Sequence, residues 1–142
     1  QVEANNTDFS GAGQNAVYAR ECSSINVNAS NVSHAGGNGL YACYCSIINA
    51  DGASDASYAG AAGVYAERGS WINAQSINVS NAGTFGIHAK NGSIINASGA
   101  NASDTTSSGI YILYGSIVSA RSATGTLCQA ANTITANGII FQ

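Results

Sequence analysis

Two carboxylates, Asp8 and Asp55, are the residues of this 142-residue chain best placed to do chemistry as a pair. They open equivalent stretches, Asp8-Phe9-Ser10 and Asp55-Ala56-Ser57, two repeats apart. On a regular β ladder they would lie roughly 9.6 Å apart, near the separation at which one acid protonates a glycosidic oxygen while the other activates water. Yet the same position holds Asn31, Asn78 and Asn101 in the other copies. An amide cannot serve as general acid or base. A column in which Asn and Asp interchange, like the neighbouring column Asn26, Asn49, Asn73 and Asn96, reads instead as a ladder bonding turn backbone and itself. No catalytic residue is assigned.

The other reactive side chains point the same way. His34 and His88 fall where other copies carry Tyr or Asn, without the Ser and Asp context of a nucleophilic triad. Arg20-Glu21 and Glu67-Arg68 are sequence neighbours and read as solvated corner ion pairs. Cys43-x-Cys45 lacks the spacer and the paired His of a zinc site, so neither metal nor other cofactor is expected. Cys22 and Cys45 are equivalent positions in adjacent copies, filled later by Gly69, Gly92 and Gly115. Stacking would set their Cα atoms about 4.8 Å apart, within disulfide range. Four cysteines allow three pairings. Triplets such as Asn28-Ala29-Ser30 resemble glycosylation sequons, but a repeat rich in Asn and Ser produces them automatically.

What positions these side chains is a repeat of about 23 residues, a period that means stacked units. Its first half appears as Asn31–Ala42 (NVSHAGGNGLYA), Asp55–Ala66 (DASYAGAAGVYA) and Asn78–Ala89 (NVSNAGTFGIHA), with looser copies at Asp8–Ala19 and Asn101–Ile112. Its second half recurs as Cys45–Ala50 (CSIINA), Gly69–Ala74 (GSWINA), Gly92–Ala97 (GSIINA) and Gly115–Ala120 (GSIVSA). Val17, Leu40, Val64, Ile87 and Ile110 alternate with Tyr18, Tyr41, Tyr65, His88 and Tyr111. That is the period of a half-buried strand, with the first set and Ala19, Ala42, Ala66 and Ala89 inward. Ile25, Ile48, Ile72, Ile95 and Val118 should point inward from a second strand. A short third strand is expected around Phe9, Val32, Ala56, Val79 and Ala102. Gly, Ser, Asn and β-branched residues disfavour helix throughout.

The fold expected is all-β: a single-stranded, right-handed parallel β-helix of about 23 residues per coil, the hand following the general preference of parallel crossovers. Six coils make a rod on the order of 30 Å tall. Gly13, Gly36, Gly60 and Gly83 fit corners needing positive φ or close backbone approach. Residues 1–120 form the coils. Val2-Glu3-Ala4 aligns with Ile-Asn-Ala, so the chain enters mid-repeat and is expected to be a piece of a longer protein. Residues 121–142, where the pattern dissolves and returns as Gly138-Ile139-Ile140-Phe141 at a longer interval, are expected to be an irregular last coil and cap. Leu127, Ile134, Ile139, Ile140 and Phe141 suit that task, and the C-terminus reads as native.

Composition excludes several classes. With 8% charged residues and a net charge of −3 there is no cationic footprint for nucleic acid. The longest apolar stretch, residues 109–118, is too short to span a bilayer. The regular repeat with its Ile and Val excludes disorder.

Alternation leaves one apolar column outside, Ser24, Ile47, Trp71, Ile94 and Ile117, of a kind a soluble monomer seldom exposes. Ile47, Trp71, Ile94 and Ile117 are therefore read as an interface, and for a rod the simplest partner is itself. The bland alternative is cover by another segment of the chain. Tyr41, Tyr58, Tyr65 and Tyr111 either satisfy a sheet surface or offer flat amphipathic rings to sugar.

The G-I-Y-A and G-S-I-I-N-A copies, closed by TITANGIIFQ, resemble the C-terminal part of bacteriophage tailspikes and tail fibres, over nearly the full chain. The resemblance implies a homotrimeric right-handed β-helix at the virion tail, engaging host-surface polysaccharide. It also implies assembly in bacterial cytoplasm, where thiols stay reduced, so free cysteines are expected. Related spikes carry glycan hydrolases, lyases or esterases, but none of their motifs stands here from which catalytic residues could be transferred. Competing readings are a fragment of a glycan-cleaving enzyme, which would need clustered carboxylates in a groove, and a non-phage adhesin or ice-binding solenoid. Ice binding would want a regular Thr face, whereas the column Gly11, His34, Tyr58, Asn81 and Asp104 is irregular.

Overall fold

The computed structural model describes residues 1–52 and 54–124, together with the backbone of residues 133–135 and 139–141. The described residues contain strands and turns and no helix. In chain order the strands are β1 (Val2–Glu3), β2 (Val17–Ala19), β3 (Ser24–Asn26), β4 (Leu40–Ala42), β5 (Ile47–Asn49), β6 (Val64–Glu67) and β7 (Trp71–Asn73). They continue as β8 (Phe85–Lys90), β9 (Ile94–Asn96), β10 (Ser108–Leu113), β11 (Ile117–Ser119), β12 (Thr133–Thr135) and β13 (Ile139–Phe141). Odd-numbered strands form a 7-stranded parallel sheet and even-numbered strands a 6-stranded one, so the chain is a β-solenoid of about 5 turns.

The register follows the repeat. Val2 pairs with Ile25, Ile25 with Ile48, Ile48 with Ile72 and Ile72 with Ile95. Asn73 reaches Asn49 over 24 positions and Asn96 reaches Asn73 over 23. The extra residue of that one coil falls between β5 and Asp55, in a turn, so both sheets keep their phase. Keeping phase matters because a one-residue slip would turn every inward side chain outward. At the other end Ile117 pairs with Ile139, so the segment around Gly138 returns after a shorter interval than the other coils, not a longer one. Leu127 lies outside the described residues. Ile134, Ile139, Ile140 and Phe141 belong to β12 and β13, whose backbone extends both sheets by one step.

The inward columns are closed. Leu40, Val64, Ile87 and Ile110 stack on one wall, Ile48, Ile72, Ile95 and Val118 on the other, and all are fully buried. Each such side chain contributes roughly 1.5–3 kcal/mol by leaving water. Ile25 and Phe9 are only half-buried. They line an apolar cavity of about 190 Å³ at the first coil with Val2, Ala4, Ala16, Val17, Tyr18 and Val27.

The third side is a ladder of single bridges, Asp8 to Asn31, Asp55, Asn78, Asn101 and Thr124, rather than strands. The reason is local. Left-handed residues close in on both sides, Ala29 and His34 around Asn31, and Ser76 and Asn81 around Asn78, leaving too little extended chain for more than one pair.

The corners are built mostly without glycine. Among the described residues 15 non-glycine residues have positive φ, between +51° and +60°, repeating in columns such as His34, Tyr58, Asn81 and Asp104. Gly36, Gly60 and Gly83 do not have positive φ. A Cβ on any of them would run into the carbonyl oxygen of Gly13, Gly36 or Gly60 in the preceding coil. Close approach between coils, not turn geometry, is what requires glycine at those three.

Candidate functional site

Two outward faces carry the chemistry. On the odd-strand sheet the register places Ile47, Trp71, Ile94 and Ile117 in one line, each directly opposite the next. Ile47 is 42% exposed, Trp71 37% and Ile94 43%, while Ile117 is half-buried. The line spans three ladder steps, roughly 14 Å. Beside it runs an amide ladder in which Asn96 donates to Asn73 at 3.1 Å and Asn73 to Asn49 at 3.0 Å. The ladder joins the polar side chains to one another along the stack, leaving the apolar line as the part of this face least satisfied by water.

On the even-strand sheet Tyr18, Tyr41, Tyr65 and His88 stack in sequence, with ring centroids 4.8, 4.8 and 4.6 Å apart. Tyr111 stacks on Phe85 at 4.5 Å, and Phe85 lies tilted against His88 at 4.9 Å. These rings turn their faces to one another and their edges to solvent. Tyr58 is not in this column. It stands on the left-handed corner before β6 and stacks on His34 at 4.9 Å. The structure therefore brings Tyr41 and Tyr65 together, sets Tyr111 at the end of the same column beyond Phe85 and His88, and places Tyr58 apart.

A second column on this face runs through Arg20, Cys43, Glu67, Lys90 and Leu113, two residues beyond Tyr18, Tyr41, Tyr65, His88 and Tyr111. Glu67 is buried, which corrects its reading as half of a solvated pair with Arg68. Burial alone would push its carboxyl up. Hydrogen bonds from Tyr41 (2.5 Å) and Tyr65 (2.9 Å) and the Lys90 ammonium (3.0 Å) outweigh that and hold it below the usual carboxylate range. Arg68 stays exposed, 3.9 Å from Glu67 and with its guanidinium 4.4 Å over the Tyr44 ring. Burial, and then Glu67, push the Tyr41 hydroxyl well above its ordinary value. His88 is pushed down to about 4, by burial first and the nearby Lys90 charge second, and its Nε2 is buried without a partner.

This hub was missed by pairing Glu67 with its sequence neighbour. The 23-residue period that aligned every other column also places Lys90 opposite Glu67.

The remaining candidates are held in structural roles. Asp8 accepts from the Ser10 amide at 2.9 Å and Asp55 from the Ser57 amide at 2.9 Å, each closing its own turn. Asn78 donates to Asp55 at 3.2 Å and Asn101 to Asn78 at 3.2 Å, so this column is also a ladder. Cys22, Cys43 and Cys45 are free thiols, and Cys128 lies outside the described residues. Among the described residues no cluster of His, Cys, Asp and Glu could hold a metal ion, and no helix is long and apolar enough to cross a membrane. No protein-family model matches the chain, and no curated protein matches it.

Proposed function

We propose that this chain is a structural and trimerising rod module of a phage tailspike or tail fibre, standing at the virion tail near the host-recognition tip. The observation that carries the reading is the exposed line Ile47, Trp71 and Ile94, continued by Ile117. Three parallel copies would bury this line from each chain, and each large side chain so covered contributes roughly 1.5–3 kcal/mol. A parallel arrangement is favoured because the line runs along the rod at one side chain per coil, so identical copies meet like against like. The test is the mass of the protein in solution. Static light scattering at micromolar concentration should give three chains, and a monomer mass would sink the proposal.

A second reading, contact with host-surface polysaccharide, is favoured by the exposed Tyr58 at 54% and by the tyrosine edges of the even-strand sheet. Sugar would lie across the side of the rod, reading ring edges, Tyr58 and neighbouring amides rather than entering a pocket. Few ionic groups take part, so binding should be multivalent in a trimer and insensitive to salt. Titration with surface oligosaccharides at low and high salt tests it, and binding that collapses with salt contradicts it.

A glycan-cleaving role finds less support. Asp8 and Asp55 are engaged in turns, and Glu67 is engaged with Tyr41, Tyr65 and Lys90.

A further inference from the structure

Cys22 and Cys45 stand on the corner that leads from the even-strand sheet to the odd one, at φ +60° and +59°. The next three coils place Gly69, Gly92 and Gly115 there, at φ +70° to +73°. A side chain in this left-handed region carries a steric penalty that glycine avoids. The chain accepts that penalty twice, in two adjacent coils, and nowhere else in this column.

The two corners are one ladder step apart. The Cys22 amide donates to the Tyr44 carbonyl at 2.9 Å, the Cys45 amide to the Arg68 carbonyl at 3.1 Å, and the Ser23 amide to Ser46 Oγ at 3.2 Å. That step, about 4.8 Å between Cα atoms, lies within the range a disulfide spans. The sulfur of Cys45 points along the stack. It is 3.8 Å from the Arg68 carbonyl oxygen and 3.6 Å from where a Cβ on Gly69 would stand. In the same rotamer one coil earlier, the Cys22 sulfur would be aimed at the Cβ of Cys45. Both thiols are exposed. Cys43 is buried and faces elsewhere, its sulfur 3.4 Å from the Tyr18 hydroxyl.

We propose that Cys22 and Cys45 form an inter-coil disulfide site, closed by exchange with a small-molecule disulfide such as oxidised glutathione. The thiolate of one cysteine attacks a glutathione sulfur, forming a mixed disulfide and releasing one glutathione thiolate. The second cysteine's thiolate then attacks the protein sulfur of that mixed disulfide and expels the other glutathione. Two protein thiols are oxidised, one glutathione disulfide is reduced to two thiols, and the two protons pass to the released glutathione. The clasp would tie the first coil to the second.

The test uses the full chain, fully reduced, then incubated with oxidised glutathione under native conditions. Intact mass should fall by two hydrogens. Chymotrypsin, which cuts after Tyr44 and so separates Cys43 from Cys45, should yield a Cys22 peptide linked to a Cys45 peptide. The link should persist in Cys43→Ser and Cys128→Ser, and be replaced by a single glutathione adduct in Cys22→Ser and Cys45→Ser. Stable adducts on both Cys22 and Cys45 in the unsubstituted chain, a link through Cys43 or Cys128, or no reaction would each overturn the proposal.

Discussion

His88 is the residue whose environment makes the clearest demand. It replaces a tyrosine in the stacked column, and burial holds it neutral down to about pH 4. The unfolded chain takes up that proton near the ordinary value of about 6.5. Its folded value is therefore depressed, and stability falls as pH drops from about 6.5 to 4, then stays level once both states are protonated. The loss should be on the order of 2 kcal/mol, allowing for solvent screening at the partly exposed ring. His88→Tyr should flatten urea-unfolding stability across this window, and an unchanged slope would show that the ring is not what titrates. Glu67 contributes in the same direction. Its lowered value gives stability that is complete above the ordinary carboxylate range and lost as pH falls through the folded value. Glu67→Ala should destabilise by about 1–3 kcal/mol at pH 7, because Lys90 then loses its counter-charge and the Tyr41 and Tyr65 hydroxyls lose their acceptor. Thermal melts of this variant beside Arg68→Ala, whose effect should stay within about 0.5 kcal/mol, separate the buried partner from the exposed one.

At the scale of strands and corners, most of the pattern was legible in the residues. Alternation placed Leu40 and Ile48 inside and Tyr41 and Ile47 outside, and the repeat aligned the columns from β1 to β11, whereas the interval to β13 is shorter, not longer as the sequence suggests. The corners were less legible. A left-handed conformation is easy to read where glycine stands and hard to read at Tyr44, Tyr58 or Arg68, which adopt it because the stacked coils impose it. Of the two reasons offered for glycine, close approach and positive φ, the first holds at Gly36, Gly60 and Gly83. They mark backbone crowding between coils, and the turns lie elsewhere. Tyr58 shows the consequence: the repeat already sets it in the column of Gly11, His34, Asn81 and Asp104, apart from Tyr41 and Tyr65, but does not announce that this column is a left-handed corner. Gly60→Ala puts these roles to the test. Its Cβ meets the Gly36 carbonyl, so the two coils must separate, at a cost of about 1–3 kcal/mol. Gly92→Ala, at φ +73° with open space around it, should cost about 1–2 kcal/mol from backbone strain alone. Hydrogen exchange tells them apart: Gly60→Ala should raise exchange at the Gly60 and Ala61 amides, whose acceptors lie in the preceding coil, and Gly92→Ala should not.

Over the described residues the molecule is a solenoid with a buried apolar interior and one outer face that exposes a line of large apolar side chains. Inside, like residues stack on like from coil to coil. Outside, amide ladders and the Glu67 hub satisfy their own polar groups, whereas Ile47, Trp71 and Ile94 are large apolar side chains left exposed. For self-association through that line the chain carries its own reporter, since Trp71 is the only tryptophan. The most direct measurement is Trp71 emission and acrylamide quenching across a dilution series, with sedimentation mass followed in parallel. At concentrations where the mass is that of a trimer, emission should be blue-shifted and quenching weak. Both should move to solvent-like values as the trimer dissociates, and Ile94→Asp should shift that transition to higher concentration with the circular dichroism unchanged. Emission and quenching that stay solvent-like while the mass changes, or that do not depend on concentration in a monomer, would contradict the account.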